Sequence, residues 1–128
     1  MVVSTRKQVL YIEDNPANFA LVRRVLESTG RYDVTGAQDG PSGLEMVQGM
    51  RPDVVLLDLD LPGMDGLEIA RQLKANASLS KIPLIAISAG VMKWERKQAL
   101  DVGCCAFVEK PFDIAQLRAL VDDAMTGS

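Results

Sequence analysis

Histidine is absent from this chain, and its two cysteines, Cys104 and Cys105, are adjacent to each other. Without histidine, a zinc site would lack its usual ligands, and the chain has neither an imidazole general base nor a phosphohistidine carrier. Adjacent cysteines argue against a framework of structural disulfides, so both are expected to be small packing residues. These absences disfavour zinc enzymes and disulfide-rich scaffolds.

Long apolar runs and basic runs are also missing. The longest apolar stretches have the length of a strand and the N-terminus is polar-ended, so neither a membrane span nor a signal peptide is expected. With 14 basic and 17 acidic residues, the net charge of −3 disfavours nucleic acid as a partner. We therefore expect a cytoplasmic protein, a monomer or weak dimer, with no membrane or nucleic-acid partner.

The composition is that of one globular domain. Hydrophobic residues make up 48% of the 128 residues and charged residues 24%. A chain of this length can bury a full core without disulfides or metals, and we find no linker, repeat or low-complexity segment. The expectation is a single domain over residues 1–128, with a core from about residue 7 to 126.

The stretch 54–63 organises the rest of the chain. Four consecutive apolar residues, Val54 to Leu57, run directly into Asp58. An apolar run without polar alternation is typical of a strand buried on both faces of a parallel sheet. Asp58 is then expected at the carboxyl end of a central strand, the edge where open α/β sheets bind ligands.

Five such strands are predicted, each followed by a helix. Parallel pairing with helical crossovers gives an α/β three-layer sandwich, and we expect the flavodoxin-like strand order 2-1-3-4-5. The strands are expected near residues 8–12, 32–37, 54–58, 83–88 and 105–108. The helices are expected to follow Asn15, Asp39 and Gly66, to span about 92–102, and to start after an Asp113 cap, the last with Ile114, Leu117, Val121 and Ala124 on one face.

Functional side chains follow four of these strands. Glu13 and Asp14 follow the first, Asp58 the third, Ser88 the fourth and Lys110 the fifth. Because the carboxyl ends of neighbouring parallel strands lie about 5 Å apart, these groups should converge. Crowded carboxylates with one ammonium need a cation, and an all-oxygen donor set without histidine or thiolate points to Mg²⁺.

These residues resemble the receiver domain of response regulators in two-component signalling. The likeness lies in Tyr-Ile-Glu13-Asp14-Asn-Pro, in Leu-Leu-Asp58-Leu-Asp-Leu-Pro-Gly-Met-Asp-Gly, in Ser88 and in Glu-Lys110-Pro111-Phe. It covers essentially the whole chain. Each motif alone is weak evidence, whereas all of them in this order and spacing make chance agreement improbable.

The resemblance implies a role for each residue. Asp58 would be the phosphoacceptor, loaded by a sensor histidine kinase or a histidine phosphotransfer protein. Asp14 and Asp58 would bind Mg²⁺ through their side chains, Asp60 through its backbone carbonyl, and Glu13 through a water. Lys110 would neutralise phosphoryl oxygens.

The resemblance also implies a switch. Ser88 would bond a phosphoryl oxygen after transfer, and Phe107 would turn inward with it. The Lys110–Pro111 peptide bond is expected to be cis, and a downstream protein would bind the face made by the fourth helix, fifth strand and fifth helix. On activation that face should change at Lys93, Trp94, Arg96, Phe107 and the last helix.

The sequence departs from the family pattern at two positions. Glu13 stands where Asp is also common, which changes reach but keeps the charge. Phe107 stands where Tyr is also found, so its ring cannot form a hydrogen bond. Asp60 and Gly90 occupy positions that tune hydrolysis of the acyl phosphate in the family, and we hypothesise that Asp60 affects how water is oriented.

Three other functions were compatible with parts of the pattern. A haloacid-dehalogenase-like phosphatase would use Asp58 and Asp60, but its nucleophile usually lies on the first strand. A Toprim-like nucleic-acid enzyme would use Glu13, Asp58 and Asp60, but leaves Ser88 and Lys110 without a role. A receiver fold that only docks partners would not need these intact acids. The expectation is a phosphoacceptor, not a turnover enzyme, either a stand-alone shuttle or an excised receiver.

Overall fold

The computed structural model describes residues 6–61, 63, 65–89, 93–111 and 113–126, without the side chains of residues 93, 94 and 126. In this part of the chain strands and helices alternate throughout. They are β1 (Lys7–Ile12), α1 (Pro16–Glu27), β2 (Tyr32–Ala37), α2 (Gly40–Met50), β3 (Val54–Asp58), α3 (Gly66–Ala75), β4 (Leu84–Ser88), α4 (Lys93–Val102), β5 (Ala106–Glu109) and α5 (Ile114–Thr126).

The five strands form one parallel sheet in the order β2-β1-β3-β4-β5. The predicted fold class and strand order are therefore confirmed. The register pairs Ile12 with Leu57 and Asp58 with Ile87, so the ends of β1, β3 and β4 lie side by side. This pairing brings the segments that follow these strands to one edge of the sheet.

Both faces of the sheet are covered. Successive side chains of a strand point to opposite faces, and β3 and β4 are buried at every position. Leu10 and Leu57 belong to a core cluster shared with helices α2 and α3. Tyr11 and Leu56 belong to the other cluster, which includes residues of α1 and α5. The absence of polar alternation in these strands thus follows from burial on two sides.

The predicted helix starts are confirmed by their caps. The side chains of Asn15, Asp39, Asp65 and Asp113 each accept hydrogen bonds from backbone N–H groups in the first turn of the helix that follows. Pro16 occupies the first turn of α1, where its missing N–H is not needed. These caps fix where each helix leaves the sheet edge.

Gly66 sets how closely α3 approaches the end of β3. A Cβ at this position would lie 2.5 Å from the Leu59 Cα, which is a backbone clash. Only glycine therefore allows the first turn of α3 to pack directly on the residue after Asp58.

The apolar face predicted for α5 is buried only in part. Leu117 and Val121 are buried as predicted, but Ile114 is 40% exposed. Ile114 is the first residue of α5. Among the described residues, none of the helices has the length and apolar character needed to cross a bilayer.

Candidate functional site

Three acids meet at the carboxyl edge of β1 and β3. Glu13 and Asp14 follow β1, and Asp58 is the last residue of β3. Within the described ranges, one oxygen of each carboxylate lies within 4.8 Å of the other two. Glu13 is 4% exposed and Asp58 1%, while Asp14 is exposed. The expected convergence of these acids is found.

Lys110 supplies the positive charge of this cluster. It follows β5, and its backbone N–H donates to the Ser88 carbonyl at 2.9 Å. Its Nζ lies 2.8 Å from Asp58 Oδ2 and 3.5 Å from Glu13 Oε2. The Lys110–Pro111 peptide bond is cis, as predicted. Two crowded carboxylates are thus partly compensated by one ammonium.

Glu13 is held by contacts that the sequence did not predict. Its Oε1 accepts hydrogen bonds from the Asn15 N–H and from Asn18 Nδ2, both at 3.2 Å. Its Oε2 accepts a bond from the Tyr11 hydroxyl at 3.4 Å. Asn18 lies in the first turn of α1 and does not directly follow a strand. Only its position near the start of this helix could have indicated a contact with Glu13.

The electrostatics of the pocket separate its two buried acids. Burial, together with a hydrogen bond to the Asp58 carboxylate and the charge of Asp58, raises the pKa of Glu13 to about 7. Burial alone would raise the pKa of Asp58, but hydrogen bonds from Glu13, Lys110 and the Asp60 N–H, and the charge of Lys110, lower it overall. Asp58 is therefore the anion of the pair.

Lys110 remains charged despite its burial. Desolvation would lower its pKa, but hydrogen bonds and charges from Asp58 and Glu13 raise it overall. The buried pocket therefore holds an ionised carboxylate beside an ionised ammonium. In such a pair the carboxylate can attack an electrophilic centre, and the ammonium can stabilise negative charge that develops beside it.

The three acids suit a hard divalent cation. Mg²⁺ prefers oxygen ligands at about 2.1 Å, so its ligand oxygens lie no more than about 4.2 Å apart. The carboxylate oxygens of Glu13, Asp14 and Asp58 are within 4.8 Å of one another before any adjustment to an ion. Three carboxylates also face a single ammonium, that of Lys110, so a divalent cation would balance charge as well as supply a ligand partner. The donor set therefore fits Mg²⁺.

Ser88 and Asp60 belong to a second, adjoining cluster. The buried Ser88 Oγ lies 3.2 Å from Asp60 Oδ1 and 3.1 Å from Glu95 Oε2. Asp60 Oδ2 accepts the Ala89 N–H at 2.7 Å. The Asp60 N–H donates to Asp58 Oδ1 at 2.8 Å, and this bond joins the two clusters. Glu95 was not predicted, because nothing in its spacing places it beside a strand end.

Phe107 is buried in this structure. Its ring is 9% exposed and belongs to the same core cluster as Ala86 of β4 and Ala99 of α4. An inward turn on activation remains a prediction. The predictions that involve Gly90 and Trp94 fall on a residue and a side chain outside the described part of the chain.

The fold and the site define a class of protein. It is a doubly wound α/β domain with a buried carboxylate, a facing lysine and a cluster of acids suited to a divalent cation, all at the switch point of the sheet. Residues 9–122 match the model of the response regulator receiver domain. The chain belongs to the response regulator receiver family.

Individual relatives agree with this assignment. The chain is 35% identical over 108 residues to the polar-differentiation response regulator DivK of Brucella anthropi, a match that covers 84% of this chain and 87% of DivK. It is also similar to the signal receiver domain of a signal transduction histidine kinase from Syntrophus aciditrophicus, with 27% identity, a TM-score of 0.86 and coverage of 94% and 91%. The receiver domain of a Francisella response regulator gives 25% identity, a TM-score of 0.86 and coverage of 94% and 98%.

Family membership establishes the general function. Receiver domains are signalling domains of phosphorelays rather than classical enzymes, and they work with kinases or phosphotransfer proteins and with downstream partners. The phosphatase alternative is not favoured by these comparisons.

Proposed function

We propose that this chain accepts a phosphoryl group on Asp58 from the phosphohistidine of a sensor histidine kinase or a histidine phosphotransfer protein. The observation that carries the proposal is the contact of 2.8 Å between Lys110 Nζ and Asp58 Oδ2 inside a cluster of three acids. One sheet and its helices supply every residue of this chemistry, which supports one receiver unit over residues 1–128.

The transfer requires an anionic nucleophile. A carboxylate oxygen of Asp58 forms a bond to phosphorus while the P–N bond of the donor breaks. The donor imidazole keeps the electron pair of that bond and takes up a proton from solvent. The lowered pKa of Asp58 supports this role, because it keeps the carboxylate ionised at neutral pH.

Lys110 and a cation would share the charge of the transferred group. Asp14 and Asp58 would hold Mg²⁺ with their carboxylates, Asp60 with its backbone carbonyl, and Glu13 through a bound water. When bound, the ion neutralises negative charge on the phosphoryl oxygens. Lys110 would neutralise the same oxygens, which its contact of 2.8 Å between Nζ and Asp58 Oδ2 supports.

Ser88 and Phe107 would carry the signal outward. The Ser88 hydroxyl would bond one phosphoryl oxygen, and the side chains of Ser88 and Phe107 would repack the face formed by α4, β5 and α5 for a downstream protein. This is a population shift between two conformations. The hydrogen bond from the Ser88 hydroxyl to the phosphoryl group would favour the active one.

Incubation with acetyl phosphate and Mg²⁺ tests the proposal. We expect the mass of the protein to increase by one phosphoryl group, and the adduct to be released by hydroxylamine, as an acyl phosphate is. Asp58→Asn should abolish the adduct. Asp65→Asn should retain it, because Asp65 is an acid that caps the start of α3. An adduct that survives in Asp58→Asn would contradict the assignment.

The same experiment separates the alternatives. A phosphatase would release inorganic phosphate from phosphoesters without keeping an adduct, and a docking module would do neither. Transfer from a panel of phosphorylated kinases and phosphotransfer proteins would then identify the donor.

Amide hydrogen exchange with and without beryllofluoride tests the output face. We expect exchange rates to change in α4, β5 and the start of α5, where Arg96, Phe107 and Ile114 lie. Changes confined to α2 and the edge strand β2 would contradict this part of the proposal.

A further inference from the structure

The second cluster contains an acid that the proposed chemistry does not use. Glu95 is the third residue of α4, and its Oε2 lies 3.1 Å from the hydroxyl of Ser88. Ser88 is the last residue of β4 and is fully buried. This hydrogen bond therefore connects the first turn of α4 directly to the end of a central strand.

The Ser88 hydroxyl has one hydrogen and two carboxylates beside it. Asp60 Oδ1 is 3.2 Å from Ser88 Oγ, and Glu95 Oε2 is 3.1 Å from it. The other oxygen of Asp60, Oδ2, accepts the Ala89 N–H at 2.7 Å. A hydroxyl donates one hydrogen bond at a time, so the Asp60 and Glu95 carboxylates compete for the Ser88 hydrogen.

The geometry points to Glu95 as a positioning residue that opposes the modified state of Asp58. This inference rests on the proposed function, in which the single Ser88 hydrogen goes to a phosphoryl oxygen. The hydrogen cannot serve Glu95 and the phosphoryl group together. Phosphorylation would therefore break the Ser88–Glu95 bond and release the first turn of α4, and the unmodified state is favoured as long as the bond exists.

Glu95 has room to leave Ser88. Together with Asp60 it borders an open pocket of about 330 Å³ on the side of α3, which Asp65, Arg71 and Gln98 also line. A carboxylate that loses its hydrogen bond to Ser88 can turn into this polar, solvent-connected space. The structure thus provides both the restrained position and a place for the released side chain.

The dissociation constant for beryllofluoride, measured by calorimetry with Mg²⁺ in excess, tests the inference. Glu95→Ala removes the acceptor, so beryllofluoride should bind about fivefold more tightly than to the unmutated protein. Glu95→Gln keeps an oxygen that can accept the Ser88 hydrogen, so its affinity should stay within about twofold of the unmutated value.

Glu68→Ala is the matched control. Glu68 is also the third residue of its helix, is exposed, and pairs with Arg71 at 3.4 Å. It should leave the affinity unchanged. If Glu95→Gln tightened binding as much as Glu95→Ala, loss of charge repulsion would explain the effect and the inference would be wrong. An unchanged affinity in Glu95→Ala would also overturn it.

Ser88→Ala shows whether Glu95 acts through the hydroxyl. In that background Glu95→Ala should have no further effect on beryllofluoride affinity, because the bond is already missing. An effect of the same size in both backgrounds would contradict a positioning role through Ser88.

Two measurements keep this inference separate from the proposed function. If beryllofluoride bound equally to the unmutated protein and to Asp58→Asn, the proposed function would fail. The Ser88–Glu95 bond can be tested separately, without ligand, by urea unfolding of Ser88→Ala, Glu95→Ala and the variant with both changes. The double variant should be destabilised less than the two single variants combined, by about threefold in the unfolding constant. If the effects of the two single changes on the unfolding constant simply multiplied in the double variant, the two side chains would not interact and the inference would be wrong.

Discussion

The carboxyl edge of the sheet contains two clusters of acids that are stabilised in different ways. Glu13, Asp14 and Asp58 face a lysine, whereas Asp60 and Glu95 face a hydroxyl and a backbone N–H. The Asp60 N–H bonded to Asp58 joins them. We refer to the first as the lysine cluster and to the second as the serine cluster.

The difference lies in what each cluster can exchange. The lysine cluster has three carboxylates and one ammonium. A divalent cation or the oxygens of a phosphoryl group would therefore change its electrostatic balance directly. In the serine cluster two carboxylates compete for the one hydrogen of the Ser88 hydroxyl, so a small rearrangement changes its bonding. The first is suited to chemistry and the second to reporting that the chemistry has occurred.

Removing Lys110 should give the largest effect on the rate of phosphoryl incorporation. It tests whether the chemistry of the lysine cluster depends on the Lys110 ammonium. Lys110→Ala should slow phosphoryl incorporation from acetyl phosphate by about 10²- to 10³-fold, because the ammonium that faces the developing charge is lost. The measurement is the initial rate of adduct formation by intact mass. Lys97→Ala is the control, since Lys97 is exposed and pairs with Asp101 on the surface. A rate within a few-fold of the unmutated protein would remove Lys110 from the proposed chemistry.

Asp14 should have the next largest effect. Asp14→Asn should weaken Mg²⁺ binding by about a hundredfold, because one charged ligand of the lysine cluster becomes neutral. Calorimetric titration with Mg²⁺ measures this directly. Asp60→Asn should keep Mg²⁺ affinity much closer to the unmutated value, since only the backbone carbonyl of Asp60 is proposed as a ligand. Equal losses in the two variants would mean that the metal is shared between the clusters.

Glu13 should matter less than Asp14, because it is expected to act through a water. Glu13→Gln should weaken Mg²⁺ binding by about tenfold, the lower end for a group in the outer shell of a metal. Its amide can still accept the hydrogen bonds that Asn15 and Asn18 donate to Glu13. A loss as large as that of Asp14→Asn would instead indicate direct coordination.

The lysine cluster was largely predictable from the sequence. Glu13, Asp58 and Lys110 each follow an apolar run of strand length, and the ends of neighbouring parallel strands must meet. Their convergence also needs the strand order, which the alternation of strands and helices leaves open and which was expected by analogy with flavodoxin-like folds. The roles carried over from the family go further than this geometry, and they remain proposals.

The serine cluster was not predictable in the same way. Ser88 and Asp60 were predicted near the site, but the bond from Ser88 to Glu95 depends on how α4 packs against the end of β4. Helical spacing does not specify that packing. Helical spacing likewise placed Ile114 on the apolar face of α5 but did not predict that this first residue of the helix is 40% exposed. Side chains on strand ends were thus easier to place than those on the helices that follow.

Asp60 should give the smallest effect, and it tests how tightly the serine cluster is coupled to the chemistry. Asp60→Ala removes the acceptor of the Ala89 N–H and one neighbour of Ser88. Water near the acyl phosphate would then be oriented differently, and the half-life of phosphorylated Asp58 should change by about threefold, the net value of one hydrogen bond. The decay of the adduct at fixed Mg²⁺ measures it, with Asp65→Ala, which removes another acid that lines the same pocket, as a control. An unchanged half-life would show that Asp60 takes no part in hydrolysis and that its carboxylate serves only to hold the start of the loop after β4.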